Sequence, residues 1–229
     1  MSMTFISPIK SVLRRILKPP PQYSGAHSKN WWMTRDNAEK SSANAYWDGR
    51  DAAARRLMAQ IVGSLDGNSL LEIGCHAGPV LWAVSQGRNF SRLAGTELSP
   101  TILEFARETL PKSLGRDVEL VQASADNLPF TDKSFDIIVT NLVLSCIGPD
   151  DIGPSLSEIL RVGRRYLVFG EPQGASIQRD REDRYYETTY WIRNYARMLE
   201  GKARLLQRHE VRKDIRIGHL DEIAVFEIE

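Results

Sequence analysis

The sequence predicts an α/β protein built on a doubly wound parallel sheet, and three observations carry that prediction. The first is the stretch Leu70 to Gly78, L-L-E-I-G-C-H-A-G, which passes from strand to turn to helix within nine residues. Leu70, Leu71 and Ile73 make a short apolar run, Gly74 and Gly78 permit close or left-handed backbone, and Pro79 suits the first position of a helix from Pro79 to Gln86. The second is that this alternation repeats: a strand from Arg92 to Glu97, a helix opened by Ser99-Pro100 with Ile102, Phe105, Ala106 and Leu110 on one face, then strands at Val118 to Gln122 and Phe135 to Thr140. The third is size and balance, since 229 residues, 42% of them hydrophobic, can bury one sizeable core.

Charge divides the chain into two parts. Residues 1–18 carry Lys10, Arg14, Arg15 and Lys18 and no acid, leaving 26 basic against 29 acidic side chains in the remainder. The body is therefore mildly acidic, which argues against a duplex-binding surface; no nucleic-acid partner is expected. Ser7-Pro8 can cap a helix whose apolar face is Ile9, Val12, Leu13, Ile16 and Leu17, with the basic residues opposite. Such a helix over residues 5–18 can pack on a partner or lie on an anionic membrane, each basic residue then contributing about 1 kcal/mol. It is too short to span a bilayer, and the P-P-P-Q-Y-S-G-A after it lacks the apolar core of an export signal. The expected organisation is a basic amphipathic helix and proline linker over residues 1–21, then a single domain over 22–229. The expected location is the cytoplasm, with peripheral contact at the inner membrane face through residues 5–18.

Two cysteines, Cys75 and Cys146, make no disulfide framework and are read as thiols with a packing role. His27, His76, His209 and His219 are scattered, and no cluster has metal-ligand spacing, so no metal is expected. Upstream of the first strand, Trp31, Trp32, Tyr46 and Trp47 precede a helix from Ala52 to Val62. Most of these aromatics suit core packing, while one or two can fold over a ligand held at the glycine turn.

The candidate site is placed by the strand tips. In open α/β sheets ligands sit outside the carboxyl ends of the strands. Glu72, near the end of the first strand, is expected to face that crevice, and Glu97 ends the second strand 25 residues later, where a carboxylate can accept two ribose hydroxyls. A nicotinamide dinucleotide is disfavoured because no Gly-x-Gly-x-x-Gly occurs and the spacing to the acid is not about 20 residues.

The series L-L-E-I-G-C-H-A-G, A-G-T-E-L-S, A-S-A-D-N-L-P-F-T-D-K-S-F-D and S-E-I-L-R-V-G-R-R-Y-L-V-F resembles the class I S-adenosylmethionine-dependent methyltransferases in their small-molecule subgroup, over roughly Tyr46 to Glu171. The resemblance implies the Rossmann-like methyltransferase fold, a mostly parallel seven-stranded sheet with helices on both faces, finished by strands at Ala203 to His209 and Ile223 to Glu229, the last antiparallel. It implies S-adenosylmethionine as cofactor. Glu72 and Gly74 would line its methionine end beside Gly78, Glu97 would take the ribose hydroxyls, Leu98 would pack on the adenine, Ser124 and Ala125 would border the adenine edge, and Asn141 would sit beside the cofactor.

The chain departs from the family pattern in three places. His76 stands where a second glycine is common. Ser124 stands where an Asp for the adenine amino group is common, with Asp126 two residues on as a substitute that would have to reach back. The usual turn before the fifth strand is trimmed to V-G-R-R. Asn141 is followed by Leu-Val-Leu and not by the Pro-Pro-aromatic of base methyltransferases.

For in-line displacement at a sulfonium methyl, alignment supplies most of the acceleration, and a base is needed only for an acceptor that must lose a proton. Glu171, in F-G-E-P at the end of the fifth strand, is the candidate base at the crevice rim, with His209 behind it. Gln178 to Tyr195 interleaves Tyr185, Tyr186, Tyr190, Trp191 and Tyr195 with Arg179, Arg181, Arg184 and Arg193. This segment suits a clamp on a sugar or anionic acceptor, and a core-packing helix from Thr188 to Leu199 explains its aromatics equally well. The expected function is methyl transfer to a small-molecule or glycan-precursor acceptor. The alternatives are a catalytically silent binding module of the same fold and a methyltransferase acting on protein or lipid.

Overall fold

The computed structural model describes residues 29, 32–33, 43–174, 181–185, 188–215 and 218–229, with backbone only for 181–189. The predicted N-terminal helix of residues 5–18 and the proline linker lie outside the described residues, as do Trp31, Arg179, Tyr186 and the side chains of Arg181, Arg184 and Tyr185.

Strands β1 (Ser69–Ile73), β2 (Arg92–Glu97), β3 (Glu119–Gln122), β4 (Phe135–Asn141) and β5 (Gly163–Glu171) are parallel; β8 (Ala203–Glu210) and β9 (Glu222–Ile228) complete a seven-stranded sheet of order β3-β2-β1-β4-β5-β9-β8. Strand β9 runs antiparallel to both of its neighbours. Helices α1 (Ala53–Gly63), α2 (Pro79–Gly87) and α3 (Pro100–Leu114) cover one face, and α4 (Pro149–Val162) covers the other together with the single turn α5 (Tyr195–Met198).

Burial on both faces explains the unbroken apolar strands. Alternate residues enter opposite cores: Leu70, Ile137, Val139, Val168 and Val225 pack under α1–α3, whereas Leu71, Ile138, Leu167, Phe169 and Phe226 pack under α4. The caps read from sequence also form, with Pro79 and Pro100 opening their helices and Ser99 Oγ accepting from the Ile102 amide at 3.3 Å.

Because β1 pairs with both β2 and β4, strand order reverses at β1, and the tips of β1, β2 and β4 open onto one crevice. Glu97 lies level with Gln122 of β3, and Asn141 level with Gly170 of β5.

The predicted helix from Thr188 to Leu199 does not form. Residues Thr188–Ile192 are strand β7, paired antiparallel with β6 (Arg181–Tyr185) in a separate two-stranded sheet. Thr188, Thr189, Tyr190, Trp191 and Ile192 are β-branched or aromatic, residue types suited to a pleated, half-buried surface. Asn194 then caps α5, its side chain accepting from the Arg197 amide at 3.1 Å.

Candidate functional site

The crevice at the strand tips opens into a cleft lined by the post-strand turns and by residues from the N-terminal side. Of the residues singled out in the sequence, Gly74, Glu97, Leu98, Ser124, Ala125 and Asn141 line it. The fold brings these six together from four separate post-strand turns.

Glu97 forms its floor. Its carboxylate is 7% exposed and accepts from the backbone amides of Leu98 (2.7 Å), Ser99 (2.9 Å) and His76 (2.9 Å). The amides fix the side chain where it faces the cleft. The His76 contact requires the chain after β1 to turn back toward β2, and it does so through closely spaced departures from ordinary backbone: Gly74 has φ 66°, His76 φ 50° and Gly78 φ 81°. A β-carbon on Gly74 would stand 2.4 Å from Val143 Cγ2, so only glycine lets the bend pass the loop after β4. His76 accepts the left-handed conformation where the family commonly has glycine. Its ring stacks on Tyr46 with centroids 4.2 Å apart, and both line the cleft.

Glu72 and Gly78 stand behind this wall, outside the cleft lining. Glu72 is 2% exposed, and its Oε2 has no hydrogen-bond partner. Burial pushes its carboxyl well above the usual range; the Arg55 guanidinium draws it back and the Glu97 charge adds to the rise. Gly78 faces Leu110 of α3 and shapes the entry to α2.

Trp32 and Lys29 close the cleft from the N-terminal side. Trp47, in contrast, packs against the α1–α3 core with the Arg50 guanidinium 4.8 Å from its ring. Asp126 does not reach back into the cleft. Its Oδ1 takes the Ser124 hydroxyl and its Oδ2 the Lys29 ammonium; although burial opposes it, these two hold the carboxyl below its ordinary range.

Glu171 is not at the rim. It is fully buried, and both carboxylate oxygens are engaged: Oε1 accepts from Val143 and Leu144 (3.0 Å each) and Oε2 from Ser145 (3.1 Å). Burial raises its pKa while the three amides oppose the rise. Fully buried and outside the cleft lining, the Glu171 carboxylate organises the loop after β4 and is withdrawn from a substrate in the cleft. Arg193 grips the same loop from its carbonyl side. It is fully buried and donates to Leu144 O at 2.7 Å and Ile147 O at 2.6 Å, so it is withdrawn from any acceptor clamp. Tyr195 likewise belongs to the core, its ring 5.5 Å from that of Phe169. Just before the gripped residues Leu142 holds φ 60°, and Leu142, Val143, Cys146 and Ile147 face the cleft.

That loop is the part least visible in sequence. A left-handed leucine has no composition signal, and Glu171 and Arg193 look like surface charges until their backbone partners are known. Beyond it, Ser145 Oγ lies 3.1 Å from His219 Nε2, and the His219 ring stacks on Tyr190 at 4.0 Å. Burial lowers His219 to about 4, so it is neutral near pH 7. His209, the other histidine considered, lies on β8 beside Gln207 Oε1 at 2.9 Å. Cys75 and Cys146 are free thiols; burial and neighbouring carboxylates raise Cys75 well above its ordinary value and Cys146 to about 12, which leaves neither as a nucleophile. Among the described residues there is no group of three or more His, Cys, Asp or Glu suited to a metal, and no helix is long and apolar enough to cross a membrane.

Comparison with known proteins agrees with this geometry. Residues 71–167 match the family model described as Methyltransferase domain. The ubiquinone/menaquinone biosynthesis C-methyltransferase UbiE of Stutzerimonas stutzeri is 29% identical over 129 residues, 52% of this chain and 48% of that protein. Its Pseudomonas aeruginosa counterpart is 30% identical over 129 residues with the same coverage. The chain thus spans about half the length of these curated relatives. Among solved structures, a Burkholderia thailandensis 1,6-didemethyltoxoflavin-N1-methyltransferase superposes with a TM-score of 0.66 at 17% identity, over 92% of this chain and 93% of that one. Magnesium protoporphyrin IX methyltransferase from Synechocystis gives 0.56 at 11% identity, over 97% and 92%. At these identities the structural likeness speaks for the fold, and the sequence matches speak for the family. In its sheet order and glycine bend the chain is similar to the class I S-adenosylmethionine-dependent methyltransferases, and the match to the methyltransferase-domain family lies in residues 71–167.

Proposed function

We propose that the protein transfers a methyl group from S-adenosylmethionine to a small-molecule acceptor with a planar, largely apolar ring. The observation that carries the cofactor half is Glu97, an acid at the tip of β2 held by three amides on the floor of the cleft. The residues fit an adenosyl sulfonium. Glu97 presents to the cleft a carboxylate that can accept from a ribose hydroxyl, Leu98 and Ala125 offer apolar contact to a base, and Gly74 leaves space where a β-carbon could not stand.

The cofactor supplies an activated methyl on a positive sulfur, and the protein's contribution is placement and exclusion of water. Glu97 and the glycine bend would hold the nucleoside, and Tyr46 and Trp32 would cover it. The loop Leu142–Ile147, fixed between Glu171 and Arg193, presents Leu142, Val143 and Ile147 as a firm apolar wall against which a flat acceptor can be aligned. Positioning of this kind can supply about 7–11 kcal/mol in favourable cases.

A ring acceptor is favoured over a glycan because two residues of the segment that suggests a sugar clamp, Arg193 and Tyr195, are buried in structural positions. The relatives named for ubiquinone and menaquinone biosynthesis, and the neighbour bound to 1,6-didemethyltoxoflavin, act on or bind ring compounds and support the same reading.

The test is transfer of radiolabelled methyl from S-adenosylmethionine to a panel of hydroquinones, phenols and heteroaromatic amines, beside nucleotide sugars, protein and lipid extracts. Label in the ring compounds is expected. Label confined to sugars, protein or lipid overturns the acceptor reading, and no binding of the cofactor at all makes the chain a silent member of the fold. Residues 5–18 as a peripheral membrane contact form a separate proposal: flotation with anionic liposomes that persists after their removal would refute it.

A further inference from the structure

Adenine carries one strong donor, its exocyclic amine, and a site that distinguishes adenosine from other nucleosides must offer an acceptor there. This inference rests on the cofactor reading above. The side chains nearest the Leu98–Ala125 end of the cleft supply no charged acceptor. Ser124 donates its hydroxyl proton to Asp126 and can still accept, but it carries no charge; Asp126 is occupied by Ser124 and Lys29 and lies outside the lining. One further carboxylate does line the cleft. Asp151, in α4, makes no hydrogen bond or ion pair through its side chain among the described residues, although its own carbonyl accepts the Ser155 hydroxyl at 2.9 Å.

Its direction is fixed by the helix that carries it. Asp151, Ser155 and Glu158 lie at i, i+4 and i+7 and so share one face of α4. That face is turned toward the loop between β3 and β4, because Glu158 Oε2 accepts the Leu128 amide at 2.8 Å and Arg161, one turn on, donates to Leu128 O at 2.9 Å. Two turns back along the same face stand Asp151 and Ser155, and both line the cleft, as Ser124 and Ala125 do.

We propose that Asp151 is the residue that reads the adenine amine, supplying from α4 the charged acceptor that the loop after β3 does not provide at Ser124. A carboxylate there accepts from the 6-amino group of adenine and repels the 6-oxo group of hypoxanthine, so the site should select the adenosyl over the inosyl nucleoside.

Calorimetric titration with S-adenosylhomocysteine and S-inosylhomocysteine tests this. The wild-type chain should bind the adenosyl compound at least tenfold more tightly, which is about 1.4 kcal/mol. Asp151→Asn, whose amide can donate to the 6-oxo group, should weaken adenosyl binding and bring the two affinities within about twofold or invert them; Asp151→Ser should lose adenosyl affinity without gaining inosyl affinity. Ser124→Ala should leave the discrimination intact. If Asp151→Asn and Asp151→Ser, each melting like the wild type, keep the full discrimination, the assignment is overturned while the cofactor reading stands. If neither nucleoside binds the wild-type chain, the cofactor reading fails first and this assignment with it.

Discussion

Replacing Glu171 by Gln separates two roles that one carboxylate at a strand end could have. The structure gives its Oε1 two backbone donors and its Oε2 a third, all from the loop Val143–Ser145, and excludes it from water. Glutamine keeps the shape but offers one oxygen, so one amide of the loop must face an NH2 group. Hydrogen bonds to a charged group contribute about 1.5–3 kcal/mol, and a buried donor left unpaired costs about 1–3 kcal/mol, so the substitution should destabilise the chain by about 2–4 kcal/mol. For a chain of this size that lowers the melting temperature by about 4–15 °C. Because Leu142, Val143, Cys146 and Ile147 line the cleft, affinity for S-adenosylhomocysteine should fall as well. Thermal melting and calorimetry on the same preparation read both quantities. A variant that melts within about 1 °C of wild type, binds the nucleoside normally and yet loses turnover would refute the loop-holding role and restore Glu171 as a base.

Two further outcomes rest on the same geometry. Gly74→Ala places a β-carbon 2.4 Å from Val143 in a left-handed residue; strain of about 1–2 kcal/mol and overpacking of about 1–3 kcal/mol should together shift the urea midpoint strongly downward, and an unchanged midpoint would show that the bend is looser than described. His219 should make stability depend on pH. Its folded pKa of about 4 lies below an unfolded value of about 6.5, so the unfolded chain binds the extra proton; its contribution is complete above pH 6.5 and is lost as pH falls toward 4. The raised carboxyls of Glu72 and Glu171 change stability in the opposite sense above their ordinary range, so the quantity to measure is the difference between wild type and His219→Gln. A difference that stays flat between pH 6.5 and 4 would contradict the buried, neutral imidazole.

How far the sequence foretells this protein depends on whether a residue's partner is near in the chain. The strand tips, the Pro-opened helices and the glycine bend are legible because each is a local pattern: an apolar run, a cap, a residue tolerant of positive φ. Glu97, Leu98, Ser124, Ala125 and Asn141 come with them, since the end of a parallel strand delivers its last residue and the adjoining turn to the crevice. Glu171 defeats a local reading because its three partners lie 26 to 28 residues earlier in the chain, and no local rule distinguishes a buried acceptor from a carboxylate at the rim. Arg193 does so in the same way, 46 and 49 residues from the carbonyls it holds. The stretch from Thr188 has aromatics at helical spacing, yet its β-branched and aromatic composition prevails once Arg181–Tyr185 stands opposite as a pairing strand. His76 shows the converse: a bend expected to need glycine is made with histidine, because its amide is secured by Glu97 and its ring by Tyr46.

The claim on which the functional account stands is that Glu97 holds the ribose of an adenosyl nucleoside at the tip of β2. Titration of S-adenosylhomocysteine into wild type and Glu97→Gln tests it directly, with melting curves to show that both are folded. One site per chain is expected for the wild type, and an affinity at least tenfold weaker, about 1.4 kcal/mol, for the variant. A folded Glu97→Gln chain that binds the nucleoside as tightly as wild type would contradict the account.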